Sequence, residues 1–393
     1  MPQEEKMTIT ERRKYLKVMK ARYLKAERGE QSRLLTEMEQ VTQMHRKSLL
    51  RLLHAPSLER QQRSKQRGRI YGLEVERVIV RVWESLDYVC AERLTPVLLT
   101  TAQHLARFGV VRLSEQVQEQ LAIISEATVE RLLRKHRVNK HRLPQKGAER
   151  TNRHRQAVPI ERIAWNQQEP GHFEVDLVQH SGSSGLGLFG FTLQLVDVAT
   201  GWSERIMVLG KGQAAMVAGF EQIVQRLPFA IRELHPDNGP EFFNDHLIRY
   251  WKEKVVGVRL SRSRPYHKND NRFVEQKNDT LVRQYFSDLR LETPDHIATA
   301  NRLYEQMWVY YNLFQPVLHL KEKQFVEGKM RRKWDEAKTP YERLKATGQL
   351  SAEQQDRLQQ LYETTNPLRL REAIYQGLAA LWQESQQSDE QVA

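Results

Sequence analysis

Three acidic residues stand where an acid can do chemistry: Asp176 in FEVDLV, Asp237 in LHPDNGP and Glu275 in NRFVEQKND. Residues 173–178 alternate apolar and polar side chains, the period-two signature of a strand, with Asp176 near the middle. Residues 231–236 form a second short extended run, and the turn signal Asp237-Asn238-Gly239-Pro240 directly behind it puts Asp237 at a strand end. Glu275 follows Asn269, Asp270 and Asn271, which suit a helix start, in a stretch whose Phe273, Leu281, Val282 and Tyr285 share roughly one helical face. Two acids on neighbouring strands and one on a packed helix are expected to converge on a point. Carboxylates without His or Cys partners suit hard divalent cations, so two Mg²⁺ ions are expected, with Mn²⁺ as a substitute, rather than Zn²⁺. Two such ions about 3.5–4 Å apart activate a water or a 3′-hydroxyl and stabilise the leaving oxygen of an in-line phosphoryl displacement. They would also relieve the repulsion of three clustered carboxylates. Taken singly, each acid also fits a plainer role, as a solvated turn or helix-surface residue.

In that order, FEVDLV, HPDNGPEF and RPYHKNDNRFVEQKN resemble the DDE catalytic core of bacterial insertion-sequence transposases, in the retroviral-integrase superfamily. The resemblance spans about residues 165–315, and the 37 residues between Asp237 and Glu275 (238–274) are close to that family's interval. It implies an RNase H-like fold, DNA 3′-end cleavage with strand transfer, and a triad of Asp176, Asp237 and Glu275 in which Asp176 bridges both metals. It further implies that Arg264, Tyr266 and Lys268, on the loop before Glu275, and Lys277 and Arg283, on the helix behind it, grip the DNA end. Tyr266 would lie against a base or sugar and Lys277 on phosphate, although a packed loop aromatic suits Tyr266 as well. Asp197 falls outside the triad and reads as a turn acid. The His-His-Cys-Cys zinc module of retroviral integrases is missing, because Cys90 is the one cysteine.

The elements that must position these acids can be read around them. Residues 189–198 and 203–209 read as further strands, joined through a Gly-Ser turn at 181–185 and by Thr200-Gly201-Trp202. An amphipathic helix over 213–226 carries Met216, Phe220 and Val224, and a helix over 295–314 packs on the sheet through Leu303, Met307, Tyr310 and Tyr311. The expected fold class is α/β: an RNase H-like mixed five-stranded sheet flanked by helices, preceded by all-α helix-turn-helix domains and followed by a helical tail. No Gly-Lys-Ser/Thr follows the Gly-Ser turn, so no nucleotide cofactor is expected. His172 and His235 read as satisfied or solvent-facing histidines.

The 393 residues suffice for two to four domains, and no run approaches eighteen apolar residues, so neither a membrane span nor an apolar leader is expected. That points to the cytoplasm, with association to the bacterial nucleoid when bound to DNA. Residues 1–150 hold 31 Lys and Arg against 18 Asp and Glu, whereas 151–393 hold 31 of each, so the whole net charge of +13 lies in the N-terminal part. A basic segment ahead of an acidic site suits a protein that grips phosphate backbones. Residues 42–53 form a helix-turn-helix candidate in which Gln43, His45, Arg46 and Lys47 face the major groove, and a helical bundle with a solvated basic face is the other reading. A second helical unit ends in residues 125–137, where Arg134, Lys135 and Arg137 suit either DNA or the helix dipole. Cys90 lies in an apolar-rich helical pattern and reads as core.

The expected organisation is a helix-turn-helix DNA-binding domain at 1–58, a basic linker at 59–72 and a second helical DNA-binding domain at 73–138. A connector at 139–164, the catalytic core at 165–318 and a helical tail at 319–393 complete it. The tail shows no alternating strand pattern. The function expected is a transposase that binds terminal repeats as a homo-oligomer and acts on double-stranded DNA, both transposon ends and target, without membrane partners. A catalytically inactive helix-turn-helix regulator and an RNase H-like nuclease without strand transfer are the alternatives.

Overall fold

In the computed structural model the described residues are 7–58, 70–136, 163–164, 166–182, 185–237, 242, 245–255, 257–263, 271–286, 289–326 and 329–392. The chain divides into two compact units, Met1–Ile70 and Tyr71–Ala393.

The first unit is three helices: α1 (Ile9–Lys25), α2 (Arg28–Thr42) and α3 (Arg46–Leu53). Their apolar stripes close over one core of Leu16, Met19, Tyr23, Leu34, Leu35, Met38, Leu49 and Leu53. Thr8 opens α1 with a reciprocal capping box to Glu11. The third helix begins later than the apolar pattern suggests. Gln43 takes a left-handed conformation that ends α2, and the His45 ring caps the amide of Lys47, so neither lies within α3.

The second unit opens with α4 (Leu73–Ser85), α5 (Ala91–Arg107), α6 (Glu115–Ile123) and α7 (Glu126–Leu133), which continues into a 3-10 turn, Arg134–His136. A tight turn at Asp87 and Tyr88, both with positive φ, separates α4 from α5. Cys90 therefore caps α5 from an exposed position instead of joining the core, a correction to its reading from apolar pattern alone.

The sheet follows, with β1 (His172–His180), β2 (Gly190–Asp197), β3 (Ser203–Leu209), α8 (Gln213–Arg226), β4 (Glu233–Pro236), α9 (Asp245–Lys254) and β5 (Arg259–Leu260). Its order is β3-β2-β1-β4-β5, with the first three strands antiparallel and β4 and β5 parallel to β1. That is a mixed five-stranded sheet of RNase H-like order. Gly171 feeds β1 at φ +111, where a Cβ would meet the Ala230 carbonyl at 2.7 Å, so the turn demands glycine.

Helices clothe both faces. Phe173, Val175, Leu193, Leu195, Ile206 and Val208 pack under α8 and α9 against Met216, Phe220, Ile223, Leu247 and Trp251. The other face, from Val178 and Met207, is covered by a second cluster from the helices that follow. These are α10 (Arg272–Lys277), a π-helical stretch Asn278–Arg283, α11 (Gln284–Phe286), and α12 (Pro294–Val309) with its π-helical end Tyr310–Phe314. Asn301 and Asn312 each accept an N–H and donate to a C=O of the edge strand β3, at Met207 and Ser203, which blocks further strand pairing there.

The tail begins with strands, where none was expected. β6 (Leu320–Val326) and β7 (Lys329–Trp334) form an antiparallel hairpin, because β-branched and aromatic residues at its ends outweigh the charged run between them. Helices α13 (Pro340–Ala346), α14 (Ala352–Thr364) and α15 (Pro367–Val392) complete the helical tail. Gly377 of α15 lies so close to Leu303 of α12 that a Cβ would fall 2.5 Å from its side chain.

Helices α4–α7, which the sequence sets apart as a unit, share a core with the sheet and tail. Arg93 donates to the Pro316 carbonyl at 2.6 Å, Tyr310 to that of Ser85 at 2.7 Å, and Gln315 to that of Leu86 at 2.6 Å. Asp87 accepts from Tyr285, Arg371 and Tyr375 together. None of the described helices is long and apolar enough to cross a membrane.

Candidate active site

Asp176 sits in the middle of β1, opposite Gln194 of β2. The parallel register pairs Val175 with Pro236, the last residue of β4, so Asp237 follows one step on, level with Asp176. Adjacent strands lie about 4.8 Å apart with in-register side chains on the same face. The two acids are therefore neighbours across the strand pair.

Glu275 comes from the helix laid across this sheet face. Its entry is fixed by Glu174, two residues before Asp176 and only 1% exposed. One oxygen of Glu174 accepts the first amides of α10, Phe273 at 2.7 Å and Val274 at 2.9 Å. Asn271, the expected cap, makes no such bond with its side chain. One turn beyond Glu275, on the same helical face, Asn278 donates from Nδ2 to Oδ2 of Asp176 at 2.6 Å. β1 thus holds the helix at both ends of the Glu275 turn.

The electrostatics follow the geometry. Burial raises Asp176 to about 7, the charge of Asp237 adds to it and that of Glu275 more weakly, while the Leu177 amide and Arg283 oppose the rise. Burial raises Glu174 to about 8 against the pull of its two amide bonds. The three acids share one field, yet the Glu275 side chain is exposed, and among the described residues no three His, Cys, Asp or Glu are gathered closely enough to hold a metal ion. As to fit, the donors are all carboxylate oxygens, which suits Mg²⁺ or Mn²⁺, and their mutual repulsion is what a cation would relieve.

The other expected contacts divide. Arg283 lies within electrostatic reach of Asp176. Lys277 is half-buried, and burial, with Arg93 and Arg205 nearby, pulls its amine down to about 7. Arg46 ties α3 to α2 through Ser32 and Thr36, Lys47 is exposed beside it, and Arg134 is exposed on the 3-10 turn behind α7. Arg264, Tyr266 and Lys268, like Asn238 and Gly239, lie outside the described residues, as do most of the linker and connector. Asp197 is a buried turn acid, accepting from Gly171 and Thr200. His172 and His235 are satisfied by Glu233 and Ser261.

Sequence reasoning missed Glu174, Asn278 and the row that runs from Asp176 through Gln194 to Arg205 in β3. Arg205 is fully buried, its guanidinium 5.2 Å from the Tyr311 ring centre and 5.9 Å from that of Tyr304. Only the alternation of β3, which turns residue 205 inward, could have marked it.

No family model matches the chain. The uncharacterized protein y4rM of Sinorhizobium fredii (strain NBRC 101917 / NGR234) is 34% identical over 319 residues, 81% of this chain and 90% of that protein. The chain belongs to the y4rM family. Among solved structures, the BIV integrase catalytic core domain is similar to this chain at 18% identity and a TM-score of 0.29, over 45% of this chain and 96% of that one. The HTLV-2 integrase catalytic core domain, in complex with magnesium, is similar at 15% identity and a TM-score of 0.28, over 38% of this chain and 90% of that one. For this y4rM-family chain, strand order and register are what define the fold.

Proposed function

We propose that this chain is a DDE transposase of an insertion sequence, a polynucleotidyl transferase that cleaves DNA 3′ ends and joins them to target DNA. The observation that carries the reading is the level placement of Asp176 and Asp237 on adjacent parallel strands, with the Glu275 helix tied to the same strand by Glu174 and Asn278. In this reading Asp176, Asp237 and Glu275 hold two Mg²⁺ ions. When bound, these would lower the pKa of a water or 3′-hydroxyl and stabilise the leaving oxygen.

The chain's own residues supply position. Asn278 fixes the rotamer of Asp176, Glu174 sets the start of the Glu275 helix, and Arg283 puts a positive charge near the site where a phosphate would enter. The first unit, with Arg46 and Lys47, and the helices ending at Arg134 would read the element's terminal repeats in cytoplasmic DNA. Two or more copies on paired ends would bring both 3′ ends to one target.

The test uses duplexes taken from the DNA flanking the chain's own gene. Mg²⁺-dependent nicking that EDTA abolishes supports the reading. Binding without nicking favours an inactive regulator, and nicking without joining favours a nuclease.

A further inference from the structure

The β6–β7 hairpin has no part in the chemistry above, and its charges are unlike those around it. Residues 151–393 balance to zero, yet residues 320–334 hold Lys321, Lys323, Lys329, Arg331, Arg332 and Lys333 against Glu322 and Glu327. Residues 321–324 and 331–334 are all exposed, so neither face of this part of the ribbon is covered.

The register sets one like-charged pair into the ribbon. Lys323 stands directly opposite Arg332, while Glu322 faces Lys333 and Gln324 faces Arg331. Like charges opposite one another destabilise a strand pair, and an uncovered two-stranded hairpin is marginal to begin with. The base is nevertheless pinned. His319 and Asp335 exchange bonds of 2.7 and 2.9 Å, and Arg343 grips Asp335 with two more, at 2.6 and 3.1 Å. A firmly rooted, exposed arm that carries six cations against two acids is built for an anionic partner.

We infer that the β6–β7 hairpin is a second DNA-binding element, a basic ribbon that enters a groove of the duplex and is flanked by phosphates on both sides. Adjacent strand pairs point to opposite faces, so Lys323 and Arg332 project from one face and Arg331 and Lys333 from the other. A ribbon laid flat on a surface needs cations on one face, whereas a ribbon between two phosphate backbones needs them on both. The major groove, about 12 Å wide, admits a two-stranded β-ribbon. The inference rests on the transposase reading for DNA as the substrate, and it adds an element that neither the triad nor the N-terminal helices supply.

The experiment compares the full-length protein with Lys323→Gln/Arg332→Gln on a labelled duplex of arbitrary sequence, over a range of salt concentrations. The variant is expected to bind roughly tenfold more weakly at low salt, with the slope of log K against log salt smaller by about 1.8, about 0.9 per lost phosphate contact. Its unfolding midpoint without DNA should hardly change, because both side chains are exposed. An unchanged slope, with Mg²⁺-dependent nicking intact in the wild type, overturns the hairpin inference alone. An unchanged slope with loss of self-association in DNA-free solution makes the hairpin a contact between copies and also overturns it. Failure of the wild type to bind any duplex overturns this inference together with the reading on which it rests.

Discussion

Asn278 donates from Nδ2 to Oδ2 of Asp176 at 2.6 Å, and thereby connects the helix that carries Glu275 to the middle strand that carries Asp176. The two acids come from sequence positions far apart, and this bond joins their supports. In the proposed site, where Asp176 would hold a cation, Asn278 acts as a ligand's supporting partner does, and loss of such partners commonly costs 10–100-fold. Asn278→Ala is therefore expected to lower Mg²⁺-dependent cleavage by about that factor, with a raised Mg²⁺ requirement. Titration of cleavage against Mg²⁺ checks it; an unchanged midpoint would dismiss the bond as incidental.

Glu174 should act through the helix start. Glu174→Gln keeps an acceptor oxygen for the amides of Phe273 and Val274 and is expected to fold with little loss. Glu174→Leu leaves both amides without an acceptor, at about 1–3 kcal/mol for each orphaned group. Urea unfolding of the two variants separates them, and equal stability would contradict the capping role.

Asp87 is expected to be the costliest single loss outside the sheet. It accepts from Tyr285, Arg371 and Tyr375 while occupying a left-handed turn. Asp87→Ala leaves the half-buried guanidinium of Arg371 without its carboxylate and should destabilise by about 1–3 kcal/mol, the range for a polar group left unsatisfied. Asp87→Asn, which keeps the turn preference and an acceptor, should cost less. Thermal unfolding of both variants tests the order.

Acid should weaken the fold through His180. This ring is buried against Phe286 and bonded to Thr192, and burial, with the charge of Arg283 adding to it, pushes its pKa from 6.5 down to about 3. Between those values the unfolded chain binds a proton that the folded chain refuses, so stability is present above about pH 6.5 and is lost as the pH falls. His180→Gln cannot titrate and should flatten that part of the stability profile. Unfolding midpoints at pH 7 and pH 5 decide it; equal slopes for variant and wild type would refute it.

How much could be read in advance depended on whether a signal was local. Strand β3 and helix α8 match residues 203–209 and 213–226 because unbroken periodicity defined them. The acids at 176 and 237 stood out because each sits beside a strand or turn signal of its own. Glu174 and Asn278 did not, since a cap formed 99 residues away, or a bond across 102, leaves no mark in a local window. The hairpin was hidden for a related reason: its charged middle masks the alternation, and register alone reveals which cations face each other. Cys90 was misplaced because the backbone turn at Asp87 and Tyr88 interrupts an otherwise helical apolar pattern.

The most direct measurement is strand transfer by the full chain, with Mg²⁺, on labelled duplexes from the DNA that flanks its gene, comparing wild type with Glu275→Gln. The substitution keeps the shape of the side chain and removes the charge that would hold a cation. The account predicts that wild type nicks and joins, while Glu275→Gln binds the same duplex with similar affinity and does neither. Nicking and joining that persist in Glu275→Gln would contradict the placement of the third acid, and with it the site proposed on β1 and β4.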